Sequence, residues 1–210
     1  MKAPRPCAPV LASERLVLRL AEAPDARALF ALYSDRKLMR YWNHDAWTMV
    51  EQADRAIAEA RLEYARGASM HYVIEQRASR AVIGSCALYD IGQYEGDGYG
   101  YGAMLGYLLS PREWGKGYLT EAMLEFLDHV FLDRGLHTVR AQVHPENTAS
   151  ASLLAKLGFL PETGAGACWT VAGASCRPRS FVLRCACWIV GCNCGASAAD
   201  ATMAPHRTQR

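Results

Sequence analysis

The order of strands and helices along the sequence predicts a single mixed α/β domain. Runs in which apolar and polar residues alternate predict strands, whereas apolar residues three and four positions apart predict amphipathic helices. Both patterns are present and follow one another along the chain, which is typical of a sheet with helices on its faces. The predicted order is a strand over 16–20, a helix from Pro24, a helix over 49–65, strands over 71–75, 81–90 and 99–109, a helix after 117, a strand over 138–143 and a helix over 147–157.

The first strand and the first two helices carry clear local signals. Residues 16–20 read Leu-Val-Leu-Arg-Leu, which predicts a strand with one wet face. Pro24 and Asp25 favour a helix start, because proline fixes φ near its helical value in the first turn. The second helix is rich in Ala, Glu and Arg, and Gly67 is placed to end it.

The middle of the chain predicts a hairpin followed by a glycine-rich strand. The second and third predicted strands are joined by the polar residues 77–80, which favours a hairpin. A polar loop over 92–98 leads into the fourth strand. That strand contains Gly100, Gly102 and Gly106, and glycines inside a strand often mark a bulge or a close backbone approach.

The last two predicted helices differ in length. The helix after Gly117 has one continuous apolar face, which consists of Leu119, Met123, Phe126, Leu127, Val130 and Phe131. The helix over 147–157 is short, and Gly158 stands at the left-handed position that commonly follows a helix.

Composition excludes several classes of protein. The 210 residues are 51% hydrophobic and 21% charged, which fits one packed domain. A formal net charge of +2 without a basic run argues against a nucleic-acid partner. The N-terminus lacks an apolar signal core, and the longest apolar stretch, 181–190, is too short to span a membrane. Cys7 and Cys86 are the only cysteines before residue 160, so we expect a cytoplasmic protein.

The two ends of the chain are predicted to differ from the body. We expect an N-terminal tail over 1–12, the domain over 13–190 and a disordered tail over 191–210. Six cysteines lie from Cys168 to Cys194, but their spacing is not Cys-x-x-Cys and no histidine is near, so we expect no metal. A divergent terminus or an altered reading frame would explain this composition, and residues 181–190 still predict a last strand.

The segment from the fourth predicted strand into the next helix has the features of an anion site. The strand ends at Ser110-Pro111, Gly115-Lys116-Gly117 follows, and a helix begins at once. Backbone N–H groups of such a turn point into one concavity, and the helix N-terminus adds partial positive charge. A pyrophosphate fits that cradle, although an ordinary strand-to-helix turn has the same pattern. Neither the Walker spacing nor the dinucleotide-binding spacing is present.

A second polar cluster begins the last predicted helix. The sequence His-Pro-Glu-Asn-Thr-Ala-Ser over 144–150 places Asn147 at the junction of strand and helix, with Ser150 one turn later. Asn147 is predicted to cap the helix. Ser150 is either a functional hydroxyl or a solvated first-turn residue.

Together, and in this order, the two segments resemble the GNAT acetyltransferase superfamily, in particular the branch with RimJ/RimL-type ribosomal-protein N-acetyltransferases. Trp-Gly-Lys-Gly-Tyr-Leu-Thr-Glu-Ala over 114–122 resembles its acetyl-CoA loop, and 144–150 with Leu-Gly-Phe over 157–159 resembles its next signature. The resemblance covers residues 11–162. It implies a mostly antiparallel sheet that splays open between two strands and is flanked by helices, with acetyl-CoA as cosubstrate.

The resemblance also implies roles for individual residues. Leu109 N–H would donate to the thioester oxygen as it becomes an oxyanion. Ser150 would protonate the departing thiolate, because Leu154 stands where many GNAT enzymes have a tyrosine. The residues implied to contact acetyl-CoA are Tyr107, Leu108, Leu109, Trp114, Gly115, Lys116, Gly117, Tyr118, Leu119, Thr120 and Asn147.

The general base and the acceptor are less defined. Met104 stands where the family often has a strand glutamate, so no base carries over, and Glu95 and Asp97 are candidates in the preceding loop. The resemblance implies a primary amine acceptor on a peptide N-terminus or a small molecule. We expect residues 49–65 and 92–98 to border the acceptor cleft, and Tyr41, Trp42 and Trp47 either line it or fill core. The chain would act as a monomer or homodimer; the alternative is an impaired acetyl-CoA-binding module without turnover.

Overall fold

The computed structural model describes residues 8–94, 100–162, 168–171 and 174–190. Its strands are β1 Leu11–Ala12, β2 Leu16–Leu20, β3 Met70–Gln76, β4 Val82–Tyr94, β5 Gly100–Leu109, β6 Thr138–Val143, β7 Leu160–Glu162, β8 Trp169–Val171, β9 Ala174–Cys176 and β10 Arg179–Arg184. Its α-helices are α1 Ala26–Tyr33, α2 Arg36–Met39, α3 Glu51–Arg66, α4 Tyr118–Asp128, α5 Thr148–Lys156 and α6 Cys185–Val190. Short 3₁₀ turns cover Ala23–Asp25 and Pro111–Glu113, and a π-helical turn covers His129–Asp133.

One eight-stranded sheet organises these elements, in the order β1-β2-β3-β4-β5-β6-β10-β7. Its neighbouring strands run antiparallel except β5 and β6, which are parallel and are joined through α4. The predicted class, a mixed α/β fold with a mostly antiparallel sheet and flanking helices, is therefore confirmed.

The predicted helices and the hairpin are present with small shifts at their ends. Gly67 ends α3 with a φ of 76°, the left-handed value that glycine adopts without strain. The predicted apolar face of α4 lies in the core, where Met123, Phe126 and Leu127 are fully buried. Its continuation through Phe131 is π-helical rather than α-helical. The hairpin of β3 and β4 has the predicted turn, and a register shift between Tyr89 and Gly92 supplies the irregularity expected near β5.

The sheet splays open between its two parallel strands. The pairing of β5 with β6 runs only from Gly102 opposite Thr138 to Leu105 opposite Ala141. Beyond Leu105, β5 continues to Leu109 with β4 as its partner on one side. The ends of β5 and β6 therefore diverge, as the resemblance implied, and leave backbone groups available between them.

The C-terminal part completes the sheet in spite of its unusual composition. β10 inserts between β6 and β7, with Phe181 opposite Ala141 on one side and opposite Pro161 on the other. The prediction of a strand over 181–190 is correct only as far as Arg184. Residues 185–190 are helical instead, because Trp188 packs against Phe131 and donates its indole N–H to Asp128 Oδ1 at 2.8 Å.

Three other expectations concern the loop and the termini. Gly92 belongs to β4 rather than to a loop, and residues 95–99 lie outside the described residues. Leu11 and Ala12, expected in a tail, pair with β2. The tail predicted over 191–210 also lies outside the described residues. No helix in the described part of the chain has both the length and the apolar character needed to cross a bilayer.

Candidate active site

The turn between β5 and α4 has the geometry of an anion cradle. Gly115 and Gly117 have φ values of 75° and 79°, which L side chains rarely adopt. Gly117 is the N-cap of α4, and no side chain caps that helix end. The amides of Tyr118, Leu119 and Thr120 consequently have no acceptor within the helix. These N–H groups and the helix dipole favour a bound phosphate at this exposed turn.

An arginine from the start of β2 holds the cradle in place. Arg15 contacts Glu121 Oε2 through Nε at 2.7 Å and Nη2 at 2.6 Å, and its Nη1 donates to the Lys116 carbonyl at 3.1 Å. Its guanidinium also lies 4.5 Å from the ring centre of Tyr118. Ser13 Oγ donates to Glu121 Oε1 at 2.6 Å. The segment between β1 and β2 and the first turn of α4 are thereby tied together across more than 100 residues of sequence.

Ionisation of Glu121 is coupled to these contacts. Burial disfavours the carboxylate, but hydrogen bonds from Ser13 and Arg15 outweigh burial and lower the pKa of Glu121. A carboxyl group with a lowered folded-state pKa stabilises the fold above its unfolded pKa of about 4.3, and that stability is lost as pH falls through the folded value.

We therefore expect Glu121→Gln to flatten the acid limb of the stability curve. The parent should lose free energy of unfolding as pH falls below about 4.3, whereas the variant should lose less over the same interval. The variant should also bind acetyl-CoA more weakly at pH 7, because Arg15 loses its ionic partner. Urea unfolding across pH and calorimetric titration measure both effects. Parallel pH curves for the two proteins would contradict the coupling.

Two further side chains brace the same turn. Trp114 Nε1–H donates to the Leu109 carbonyl at 2.8 Å, although the residue as a whole is 54% exposed. Lys116 Nζ lies 3.0 Å from Glu113 Oε2 on the surface. Trp114 therefore links the cradle to the end of β5, where the sheet has splayed.

The backbone of β5 turns the N–H groups of alternate residues toward the splay. Ser110 N–H donates to the Ile83 carbonyl on the β4 side. Because N–H directions alternate along a strand, the Leu109 N–H points to the opposite edge, where β6 has diverged. The same alternation turns the backbone of Tyr107 toward the splay and that of Leu108 toward its β4 partner, Ser85. The Leu108 amide therefore faces β4 rather than the splay, and the Leu108 side chain is buried.

The start of α5 brings a serine and a tyrosine together beside the splay. Asn147 Oδ1 accepts from Ser150 N–H at 3.1 Å, so Asn147 is the predicted N-cap. Ser150 Oγ lies 2.8 Å from Tyr107 Oη, and Tyr107 Oη donates to the Ser150 carbonyl at a longer 3.3 Å. The resemblance implied a proton donor at Ser150 and only a contact with acetyl-CoA for Tyr107, whose phenol is the partner of Ser150 in the structure.

The phenol of Tyr107 remains protonated at neutral pH. Burial raises the pKa of Tyr107 to about 12, although the hydrogen bond with Ser150 acts in the opposite direction. Tyr107 is therefore a neutral hydroxyl next to Ser150, able to donate to its oxygen when the Ser150 proton is directed elsewhere.

A cavity of about 70 Å³ joins this pair to an aromatic wall. Its described lining consists of Tyr41, Trp42, Asn43, Tyr89, Leu105, Gly106, Tyr107, Ala141, Gln142, Val143, His144, Asn147, Ser150 and Trp169. Sequence reasoning gave no role to Gln142, His144 or Trp169, although His144 begins the segment 144–150. Gln142 has a sequence signal, because it lies between buried Ala141 and Val143 on β6, and His144 follows that strand directly. Trp169 lies in the part without a recognisable pattern.

The aromatic residues before α3 divide between the two expected roles. Tyr41 and Trp42 line the cavity. Trp47 instead stacks on Tyr33 at 4.5 Å and packs in a second apolar cluster. None of the residues of α3 is in the lining of this cavity, and residues from the segment after α2 are. That the helix over 49–65 borders the acceptor cleft stays a prediction.

The remaining candidates are outside this cavity. Leu154, at the position of the family tyrosine, is fully buried in the core. Met104 lies on β5 opposite Tyr89. Glu95 and Asp97, the candidate bases, lie outside the described residues. Within the described ranges no cluster of three or more His, Cys, Asp or Glu side chains has the arrangement of a metal site.

A splayed sheet with an anion cradle at one end and a hydroxyl pair at the other is the architecture of an acyltransferase that uses a coenzyme A thioester, and comparison with known proteins agrees. The model of the acetyltransferase (GNAT) domain matches residues 15–160. The uncharacterized N-acetyltransferase p20 of Bacillus licheniformis is 35% identical over 152 residues, which cover 72% of this chain and 83% of the relative. The chain belongs to the GNAT acetyltransferase family and is an acetyl-CoA-dependent N-acetyltransferase.

Solved structures agree on the fold. Ribosomal-protein-S5-alanine acetyltransferase from Vibrio fischeri superposes with a TM-score of 0.74 at 19% identity, covering 86% of this chain and 99% of that one. Spermidine N-acetyltransferase from Vibrio cholerae, in complex with CoA and spermine, gives a TM-score of 0.72 at 20% identity, with 84% and 99% covered.

Proposed function

We propose that this chain transfers the acetyl group to a primary amine of a peptide N-terminus or a small molecule, by direct attack within a ternary complex. The observation that carries this proposal is the Ser150–Tyr107 hydroxyl pair, 2.8 Å apart, in a cavity beside the open end of β5. A similar ribosomal-protein alanine acetyltransferase and a similar spermidine acetyltransferase represent the two kinds of amine.

The chemical steps follow from the positions of the groups. With the pyrophosphate on the Gly115–Thr120 amides, the thioester lies at the splay, and the Leu109 N–H donates to its oxygen. The acceptor nitrogen attacks the carbonyl carbon, an oxyanion forms, and its collapse breaks the carbon–sulfur bond. Ser150 gives its proton to the departing thiolate while Tyr107 donates a hydrogen bond to the Ser150 oxygen. The attacking nitrogen loses a proton to solvent as it becomes an amide, and Ser150 regains a proton from solvent. Asn147, whose Oδ1 is occupied by Ser150 N–H, presents its amide nitrogen to the cofactor.

Deprotonation of the amine needs little help if the acceptor is an α-amine. An α-amino group titrates near about 7.7–8.0, so about a tenth of it is neutral at pH 7, whereas a lysine side chain titrates near about 10.4. The described cavity lining has no carboxylate. We propose that solvent, or water held by Glu95 or Asp97, removes the proton.

A pH–rate profile tests this choice of acceptor. For a peptide whose only amine is its N-terminus, kcat/KM should rise with pH and level off above about 8, the pKa of the substrate. An N-blocked peptide with one lysine should react more slowly at pH 7, because far less of its amine is neutral. Faster acetylation of the lysine peptide at pH 7 would refute the assignment and indicate an efficient base.

The alternative left open by the sequence, an acetyl-CoA-binding module with impaired turnover, would bind acetyl-CoA stoichiometrically without consuming it in the presence of amines. Acetyl-CoA consumption with a panel of amines separates the two functions. For either function we propose a cytoplasmic location and no nucleic-acid partner, in keeping with the sparse cysteines before residue 160 and the small net charge.

A further inference from the structure

The part of the cavity wall that includes Gln142 and His144 holds polar groups among aromatic rings. Gln142 and His144 project from β6 and the residue after it, and Trp169 comes from β8. The rings of Tyr41, Trp42 and Tyr89 complete this wall. The described lining residues include no Asp, Glu, Lys or Arg. Ligands are therefore distinguished here by whether their groups donate or accept hydrogen bonds, rather than by charge.

The orientation of the Gln142 amide is fixed by its neighbour. Trp169 Nε1 lies 3.1 Å from Gln142 Oε1, and an indole nitrogen only donates. The amide oxygen must therefore face the indole, and the two N–H groups of Gln142 face away from it. Gln142 consequently presents hydrogen-bond donors to the cavity.

The ring of His144 is oriented in a similar way. Glu146 N–H donates to His144 Nδ1 at 3.3 Å, and the imidazole stacks on Tyr41 with ring centres 5.0 Å apart. Because a backbone N–H cannot accept, Nδ1 carries the lone pair, and the neutral ring has its proton on Nε2. His144 thus also offers a donor.

We propose that Gln142, oriented by Trp169, and His144 select acceptor amines that carry a hydrogen-bond-accepting carbonyl next to the amine, as in an α-amino amide. The proposal rests on the proposed function and specifies its acceptor. Two donors pair with a carbonyl oxygen, whereas a polyamine carries only ammonium groups, which need acceptors or carboxylates. The ammonium groups of a polyamine would face the half-buried N–H donors of Gln142 and His144. Donors on both sides would then lack acceptors, which costs binding energy.

The first test compares acceptors of matched size on the parent enzyme. Alanine amide and a short alanyl peptide amide carry the carbonyl, n-propylamine lacks it, and spermidine carries additional ammonium groups. Because alkylamines titrate higher than α-amines, kcat/KM is expressed for the neutral form of each acceptor. We expect this corrected kcat/KM for the amides to exceed that for the other two by at least about tenfold, the scale of one hydrogen bond or one unpaired donor. Equal or faster acetylation of spermidine would overturn the proposal.

The decisive variant is Gln142→Glu, which keeps the shape of the side chain and replaces its donors with an anionic acceptor. We expect the amide-to-spermidine ratio of kcat/KM to fall by at least about tenfold, chiefly through KM. Gln142→Leu should lower amide turnover without raising that of spermidine. Gln52→Glu is the matched control: its Oε1 accepts from Thr48 N–H and Met49 N–H outside the cavity, and a carboxylate keeps both bonds. An unchanged ratio in folded Gln142→Glu would refute the selection.

A binding measurement separates this inference from the function on which it rests. Calorimetric titration of alanine amide, propylamine and spermidine into the complex with CoA requires no turnover. If the parent binds the amide more tightly than the other amines and Gln142→Glu does not, the selection is supported. If, in addition, no amine is acetylated, only the proposed function fails. Turnover of amines without any preference for the amide retains the function and rejects the selection. Unaltered CoA affinity and thermal unfolding show that the variants are folded.

Discussion

Replacing Ser150 with alanine is expected to lower kcat by about 10²–10⁴-fold, the usual effect of removing a general acid. At 25 °C that corresponds to about 3–5 kcal/mol of transition-state stabilisation. The Ser150 N–H still donates to Asn147 in the alanine variant, so the helix cap is kept. Acetyl-CoA affinity should therefore stay close to that of the parent. Stopped-flow measurement of CoA thiol release, with calorimetric affinity beside it, provides both values.

The role of Tyr107 can be separated from that of Ser150 by a double-mutant cycle. Tyr107→Phe should lower kcat less than Ser150→Ala does, and adding it to Ser150→Ala should have little further effect, because the two hydroxyls act in series. Ser85→Ala is a matched control, since Ser85 Oγ pairs with Tyr33 Oη at 3.0 Å outside the cavity lining. If Ser150→Ala retains full kcat while chemistry limits the rate, Ser150 is only a first-turn residue of α5.

Substitution of both Gly115 and Gly117 with valine is expected to weaken acetyl-CoA binding by more than about tenfold. Each glycine has a positive φ that costs a residue with a side chain roughly 1–2 kcal/mol, so the turn must change shape, and the amides at the start of α4 are displaced with it. A tenfold change in affinity needs only about 1.4 kcal/mol. Isothermal titration with acetyl-CoA measures the loss.

The control for backbone strain is Gly135→Val. Gly135 has a φ of 66°, and a Cβ there would meet nothing within 4 Å, so this site matches the strain of the cradle glycines without lying at the cradle. We expect Gly135→Val to lower stability while leaving acetyl-CoA affinity unchanged. Parent-like affinity in a folded Gly115→Val/Gly117→Val variant would mean that acetyl-CoA binds elsewhere.

Local signals in the sequence were sufficient for the features that depend on neighbours along the chain. The periodicity of α4, the glycines of the cradle and the Asn147 cap each involve contacts within a few residues, and the structure has all three. A Cβ at Gly115 would meet no protein atom within 4 Å, so within this chain the positive φ is what requires glycine there.

Contacts between distant parts of the chain could not be predicted from one sequence. The Tyr107–Ser150 pair joins residues 43 positions apart, and the Arg15–Glu121 contact joins residues 106 apart. Trp169 orients Gln142 from a segment whose composition gave no pattern. The helix over 185–190 was mistaken for strand because its apolar run fits either structure, and only packing of Trp188 on Phe131 decides between them.

Single-turnover kinetics test whether the acetyl group passes directly from acetyl-CoA to the amine. Enzyme in excess over acetyl-CoA is mixed with an alanyl peptide amide whose only amine is its N-terminus, and CoA thiol and acetylated peptide are quantified over time. Direct transfer with Ser150 as the acid predicts that both products appear together, in equal amounts and with the same rate constant, and that Ser150→Ala slows them equally. Bound acetyl-CoA that remains intact, or thiol release without acetylated peptide, would contradict it.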